Sequence, residues 1–478
     1  VRSLLDAKLH VVNVGLESFA ADLRSAGVDV VHVDWRPPAR GDLRLTQALS
    51  VLDERAEVID AANRVAIENM IAAHPILVDV GVALDTIPGF TEKTILHAGP
   101  PVAWEKMCGP MQGAIIGALI HEKRAANEAE ARIVAASGEY TFAPCHHYDA
   151  VGPMAGVISA GMPVIVVADK HTGRRVYSNF NSEAKGKKSL SFGSLGPDVE
   201  EMLCWVRDVF APFLKDVVRV LGGIDLKAII ARAIQMGDEV HTRHAAATSL
   251  LVREIFTALP EVSVSREALA RISKFLYFND FVFLNFSMAA CKLMVLAGHG
   301  VPNSSIVTVI ARNGVETGVR LSGMGDQWFT APAPHVKGLY FPGFTAEDAN
   351  PDLGDSAITE VAGLGAFAMA ASIPLVKVVG GTAAEAIATT RAMKEITFAS
   401  NPMFAIPVLD FANTVLGIDA RKVVETGICP SINTGIAHRD AGVGIVGSGI
   451  SWAPFECFAA AITALAHGTK TEAPESGQ

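Results

Sequence analysis

Residues able to do chemistry concentrate between Ile310 and Gly365, where nine glycines alternate with Arg312, Asn313, Glu316, Arg320, Asp326, Gln327, Asp352, Asp355 and Glu360. Glycine lets backbone amides approach a ligand closely, and successive exposed N–H groups form a nest for an anionic oxygen. Asn313-Gly314 and Ser322-Gly323-Met324-Gly325-Asp326 have this character, and Arg312 or Arg320 would add a forked donor for phosphate or carboxylate. The plainer reading of each turn is a hairpin, because Asn-Gly is the strongest short hairpin signal.

Other clusters lie outside this stretch. Cys145-His146-His147-Tyr148-Asp149 offers S, N and O donors of the kind zinc accepts, yet adjacent histidines on an extended segment point to opposite sides. A loop with one histidine near a ligand is the simpler expectation. Arg174-Arg175 and Lys185-Gly186-Lys187-Lys188 could form an anion-facing edge or a solvated loop. In Met236–His244, a helix capped by Asp238 would put His241 and His244 on one face, with Arg243 turned aside. Thr434, His438 and Arg439 form a further polar group near the end of the chain, and Gly380-Gly381-Thr382 after an expected strand Leu375–Val379 would suit a phosphate.

The elements that must position these groups point to an α/β, multi-domain chain. Leu9–Val14, Glu17–Ala26 and Val28–Asp34 read as strand, helix and strand, a compact Rossmann-like βαβ unit. Its turn, Gly15-Leu16-Glu17-Ser18, lacks the second glycine of a dinucleotide site, and Asp34 alone is weak support for ribose binding. Long helices are expected over 48–73 and 111–136, and a mainly helical stretch from 198 to 298. We expect divisions at 1–135 (Rossmann-like), 136–196 (connecting α/β), 197–300 (helical) and 301–478 (glycine-rich α+β, holding the ligand site).

Of the 478 residues, 50% are hydrophobic and 19% charged, which favours burial against other chains and hence homo-oligomerisation. The net charge of −10 without a basic run argues against nucleic acid. The apolar run from Phe278 to Gly298 is interrupted by Asp280, Asn285 and Lys292, so no membrane span is expected. Six cysteines without a CxxC pair fit a reducing cytoplasm.

Arg312-Asn313-Gly314-Val315-Glu316, Gly325-Asp326-Gln327-Trp328 and the run from Ala349 to Glu360 resemble the YlbE-like family, as do Val12-Asn13-Val14-Gly15 and Asn433–His438. The resemblance covers nearly all of the chain. It implies a subunit of an oxamate carbamoyltransferase in ureide catabolism, interconverting oxamate plus carbamoyl phosphate with oxalurate plus phosphate beside an FdrA-like partner and other unlike subunits. Such transfer needs an anion clamp, donors at the carbonyl oxygen and a proton carrier rather than a covalent nucleophile. On that reading His244, His438, Glu316 and Asp326 are the catalytic candidates. Arg243, Arg312, Asn313, Gly314, Arg320, Gly323, Gln327, Asp355, Thr434 and Arg439 would bind the small anionic substrates. No cofactor is expected, and a divalent metal lacks support. The Ser-Thr-Arg-Thr and His-Pro-x-Gln motifs of well-known transcarbamoylases are missing; the nearest strings are His241-Thr242-Arg243-His244 and His74-Pro75-Ile76-Leu77. Two other readings stay open: an amide or ureide hydrolase using Cys145 or a His/Asp pair, and a non-catalytic scaffold for an FdrA-type partner.

Overall fold

One helix, Val282–Ala297, passes through the middle of the molecule with almost every side chain buried. Its sequence is apolar on all sides, which suits a helix with no wet face, and Phe283, Phe286, Met288 and Leu293 are each at most 1% exposed. Removing one such phenylalanine from water contributes about 2 kcal/mol. The computed structural model describes residues 9–33, 35, 37–183 and 188–468; Asp34, Lys185–Lys187 and the tail beyond Gly468 lie outside the described residues.

Against this helix packs a five-stranded sheet in the order Ala150–Val151, Arg175–Ser178, Pro163–Asp169, Pro75–Val82 and Ile224–Asp225. Its central pair is antiparallel, with Val80 opposite Ile165 and a bulge between Leu77 and Asp79. A second, antiparallel sheet holds Phe329–Pro332, Glu316–Leu321, Val307–Asn313 and Leu353–Gly354. A third joins Lys337–Tyr340, Ile445–Trp452 and Ser431–Ala437. Mixed helices and several separate sheets make this an α/β chain, and the largest hydrophobic core draws residues from Ala39 to Ala466.

The N-terminal βαβ unit forms with His10–Val14 and Asp29–Val33 parallel and in register. Its sheet stops at two strands, because the expected next strand, Pro75–Val82, belongs to the antiparallel sheet. Val12, Val14, Val31 and Val33 stay exposed on one face. Each long helix expected early in the chain divides in two: Leu43–Asp53 with Ala56–Ala72, and Gly109–His121 with Glu128–Ala136. Leu375–Val379 is helical rather than a strand. Thr382 and Glu385 form a reciprocal capping box on the helix Ala383–Glu395, which occupies the N–H groups a phosphate would have used. Among the described residues no single helix is long and apolar enough to cross a membrane.

Candidate functional site

Four elements meet at an open polar chamber of about 770 Å3. The strand Thr141–Pro144 runs into a short 3-10 turn, Cys145–Tyr148, closed by Asp149 at φ +52, and this turn presents His146, His147 and Asp149. The hairpin before Arg175–Ser178 supplies Arg174 and Arg175. The end of the central helix brings Leu296, and His299 follows it. Arg320 enters from the strand Glu316–Leu321, with Asp326 on the loop beyond.

The charges here are unevenly matched. The Arg320 side chain is only 4% exposed, whereas its partner Asp326 is 91% exposed, so the ion pair is buried at one end and wet at the other. The Arg320 guanidinium also donates to His299 Nε2 at 3.2 Å and lies 5.6 Å from the Trp328 ring centre, an arrangement that holds the fork in place. Behind the chamber Lys292, 1% exposed, reaches His146 Nδ1 at 3.3 Å but stays 3.9 Å from Asp149 Oδ1. Burial pulls this lysine down to about 8, opposed by the charge of Asp149. A buried ammonium with so incomplete a partner is costly.

The histidines around it are uncharged. Burial, aided by the Lys292 charge, holds His146 well below its usual range, and burial with the Arg320 charge lowers His147 and takes His299 to about 4. Trp328 Nε1 donates to His147 Nε2 at 2.8 Å, which leaves the proton of the neutral ring on Nδ1. His146 Nε2 has no hydrogen-bond partner and lies 3.6 Å from Asp355 Oδ1. Asp355 is raised to about 7 by burial, opposed by the Gly99 and Gly152 N–H groups that donate to it.

A second cavity, of about 270 Å3, is lined in part by Pro153 and Met154. At its edge stands a buried polar network. Glu360 accepts from His241 Nδ1 at 2.8 Å, Thr359 Oγ1 at 2.9 Å, Ala366 N at 3.0 Å and Asn433 N at 3.1 Å. Beside it Arg312 pairs with Asp352 at 3.1 Å, both fully buried, and donates to Thr434 Oγ1. Thr434 also lines the cavity.

The residues singled out in the sequence are therefore dispersed. Arg320 and Asp326 meet in the first chamber, with Gln327 exposed beside them. Arg312, Thr434 and Asp355 are buried, with Thr434 on the wall of the second cavity, and Asn313 closes a hairpin by accepting from Val315 N and Glu316 N. Gly314 and Gly323 are packing positions: a Cβ on Gly314 would come within 2.6 Å of Cys108 Sγ, and one on Gly323 within 2.6 Å of Ser304 O. Glu316 accepts from Thr330. His438 packs edge-on against Phe344, and Arg439 is exposed beside it.

The expected helix face over Met236–His244 does not form; the helix starts at Ala245. The buried Glu239 carboxylate takes the N–H groups of His241, Thr242 and Arg243, a local alternative to helix that the sequence reading left out. His241 and His244 thus part company. His244 is enclosed with neither ring nitrogen partnered and is pulled by burial to about 3, and Arg243 turns back to Gly237 O and Asp238. His146, His147, Arg174 and Arg175 complete the first chamber around Arg320 and Asp326, and Lys292 lies behind His146.

A mixed fold of helices and several separate sheets thus carries a polar chamber that brings Arg174, Arg175 and Arg320 together with His146, His147 and His299. The chain belongs to the AllG family: residues 140–356 match the family described as oxamate carbamoyltransferase subunit AllG. It is 45% identical to the oxamate carbamoyltransferase subunit AllG of Escherichia coli K12 over 85% of this chain and 97% of that protein. It is also 45% identical to the uncharacterized protein YahG of the same organism, over 96% of this chain and 98% of YahG. A crystal structure of a conserved protein of unknown function from Enterococcus faecalis V583 superimposes with a TM-score of 0.84 at 45% identity, covering 86% of this chain and 98% of that one.

Proposed function

We propose that this chain is a subunit of a carbamoyltransferase that interconverts oxamate plus carbamoyl phosphate with oxalurate plus phosphate, together with an FdrA-like subunit. The observation that carries the reading is the buried Lys292 ammonium with its incomplete partner, set against His146 in the wall of a chamber lined by Arg174, Arg175 and Arg320. A carboxylate or phosphate entering there would meet the Arg320 fork once the exposed Asp326 swings aside. With Nε2 of His147 held by Trp328, its Nδ1–H is left to donate a hydrogen bond to the oxygen of the reacting group. Membership of the AllG family supports the same direction. The hydrolase alternative draws little support from Cys145, since this thiol is fully buried, donates to Gly156 O and is pushed well up by burial and by Asp355; the thiolate is the nucleophilic form.

The test is phosphate-dependent breakdown of oxalurate, followed as carbamoyl phosphate formation, by this chain alone and mixed with its FdrA-like partner. Activity that falls in Arg320→Ala and His147→Gln with folding intact places the chemistry in this chamber. Activity that survives both substitutions refutes the assignment, and absence of turnover in either mixture refutes the reaction.

A further inference from the structure

We infer that the second cavity is a separate ligand site for an uncharged amide or ureido group, with His241 as the residue that receives its N–H. The inference does not rest on the anion chamber, with which this cavity shares no described lining residue.

The cavity holds about 270 Å3, room for a small organic molecule. Among the described residues no lysine or arginine lines it. Its polar surface comes from hydroxyls and side-chain amides, among them Ser182, Ser356, Ser448, Thr434, Asn181 and Asn279, while Met154, Phe192, Phe281 and Leu284 give apolar walls. Such a surface can hydrogen-bond a ligand but offers no countercharge to a carboxylate or phosphate, for which desolvation would go uncompensated. The carboxylate of Asp280 at its margin disfavours anions further.

His241 is held in one orientation. Glu360 binds its Nδ1, and the three other donors on Glu360 fix that carboxylate in turn. With Nδ1–H given to a carboxylate, the remaining ring nitrogen, Nε2, is an acceptor in the neutral ring. Val240, immediately before it, sits at φ +59. That conformation is a genuine outlier for a β-branched residue and is a recurrent feature of functional sites. Next to it, Thr242 Oγ1 is enclosed without a hydrogen-bond partner while the residue lines the cavity. An amide or urea answers both groups: one N–H for His241 and a carbonyl oxygen or second N–H for the threonine hydroxyl.

The experiment is a titration of the full chain, carrying 15N-labelled histidine, with N-methylurea, and in parallel with methylammonium, acetate and phosphate. The His241 ring resonances, assigned through His241→Gln, should move saturably with N-methylurea and stay in place with the two anions. Thr242→Val, which keeps the shape and removes the hydroxyl, should weaken N-methylurea binding roughly five-fold, the loss of one hydrogen bond. Absence of a saturable His241 shift, or an equal shift with acetate or phosphate, overturns the site. A response to methylammonium alone overturns the ligand class, and unchanged binding in Thr242→Val overturns the placement of the ligand. If His241→Gln fails to fold, the Thr242→Val titration still decides.

Discussion

Replacing Lys292 with methionine should make the protein more stable and less able to bind anions. An ammonium lowered from its ordinary 10.5 to about 8 corresponds to about 3 kcal/mol of destabilisation in its charged form. Methionine fills similar space in an apolar helix, and His146 loses one donor, a loss of about 1 kcal/mol. The expected gain at pH 7 is therefore about 2 kcal/mol. Its pH dependence is the sharper test. Below about 8 the lysine is charged in both folded and unfolded chains, and the full cost is present. Between about 8 and 10.5 the folded lysine has lost its proton while the unfolded one retains it, so wild-type stability rises with pH across that window. The advantage of Lys292→Met should accordingly be largest at pH 7 and shrink toward pH 10. Urea denaturation followed by tryptophan fluorescence at pH 7, 8.5 and 10 measures it, with phosphate binding by calorimetry alongside. A variant less stable than wild type at pH 7, or a stability gap that does not change with pH, would sink the argument that Lys292 is a charge kept for a ligand.

Arg320→Lys keeps the charge but loses the planar fork, and phosphate or oxamate affinity should fall about ten-fold by calorimetry; unchanged affinity would remove Arg320 from the site. Glu360→Gln places a donor amide among four donors and should cost about 3 kcal/mol in urea denaturation. A Gly314→Ala chain meets both a φ of +79 and the Cys108 sulfur, so a loss of about 2 kcal/mol is expected, and a variant as stable as wild type would mean that the hairpin relaxes freely.

How much of this could be read in advance depends on the kind of signal. The βαβ unit, the helical stretch after Pro197 and the hairpin at Asn313-Gly314 were legible because periodicity and turn chemistry are local. The first chamber was legible only in pieces: Arg174-Arg175, the His146-His147 pair and Arg320 with Asp326 each carried a local signal, but they come from distant segments and meet only through packing. A further local clue did exist: a single lysine inside the apolar run Met288–Ala297, which interrupts a membrane span and equally marks a charge that must be buried. At His241 the error had a definite source. Asp238 looked like a helix cap, but Glu239, buried and acting on three successive N–H groups, held the chain in a loop. Burial of a glutamate is a tertiary fact that spacing does not contain.

The central helix gives the two cavities a common mechanical part. Leu284 borders one and Lys292 backs the other, eight residues or about 12 Å along the axis. Packed on every side, the rod has no slack in which a tilt at one end could dissipate before reaching the other. If a ligand in one cavity changes the affinity of the other through this helix, linkage requires the second ligand to change the affinity of the first by the same factor, whichever the sign.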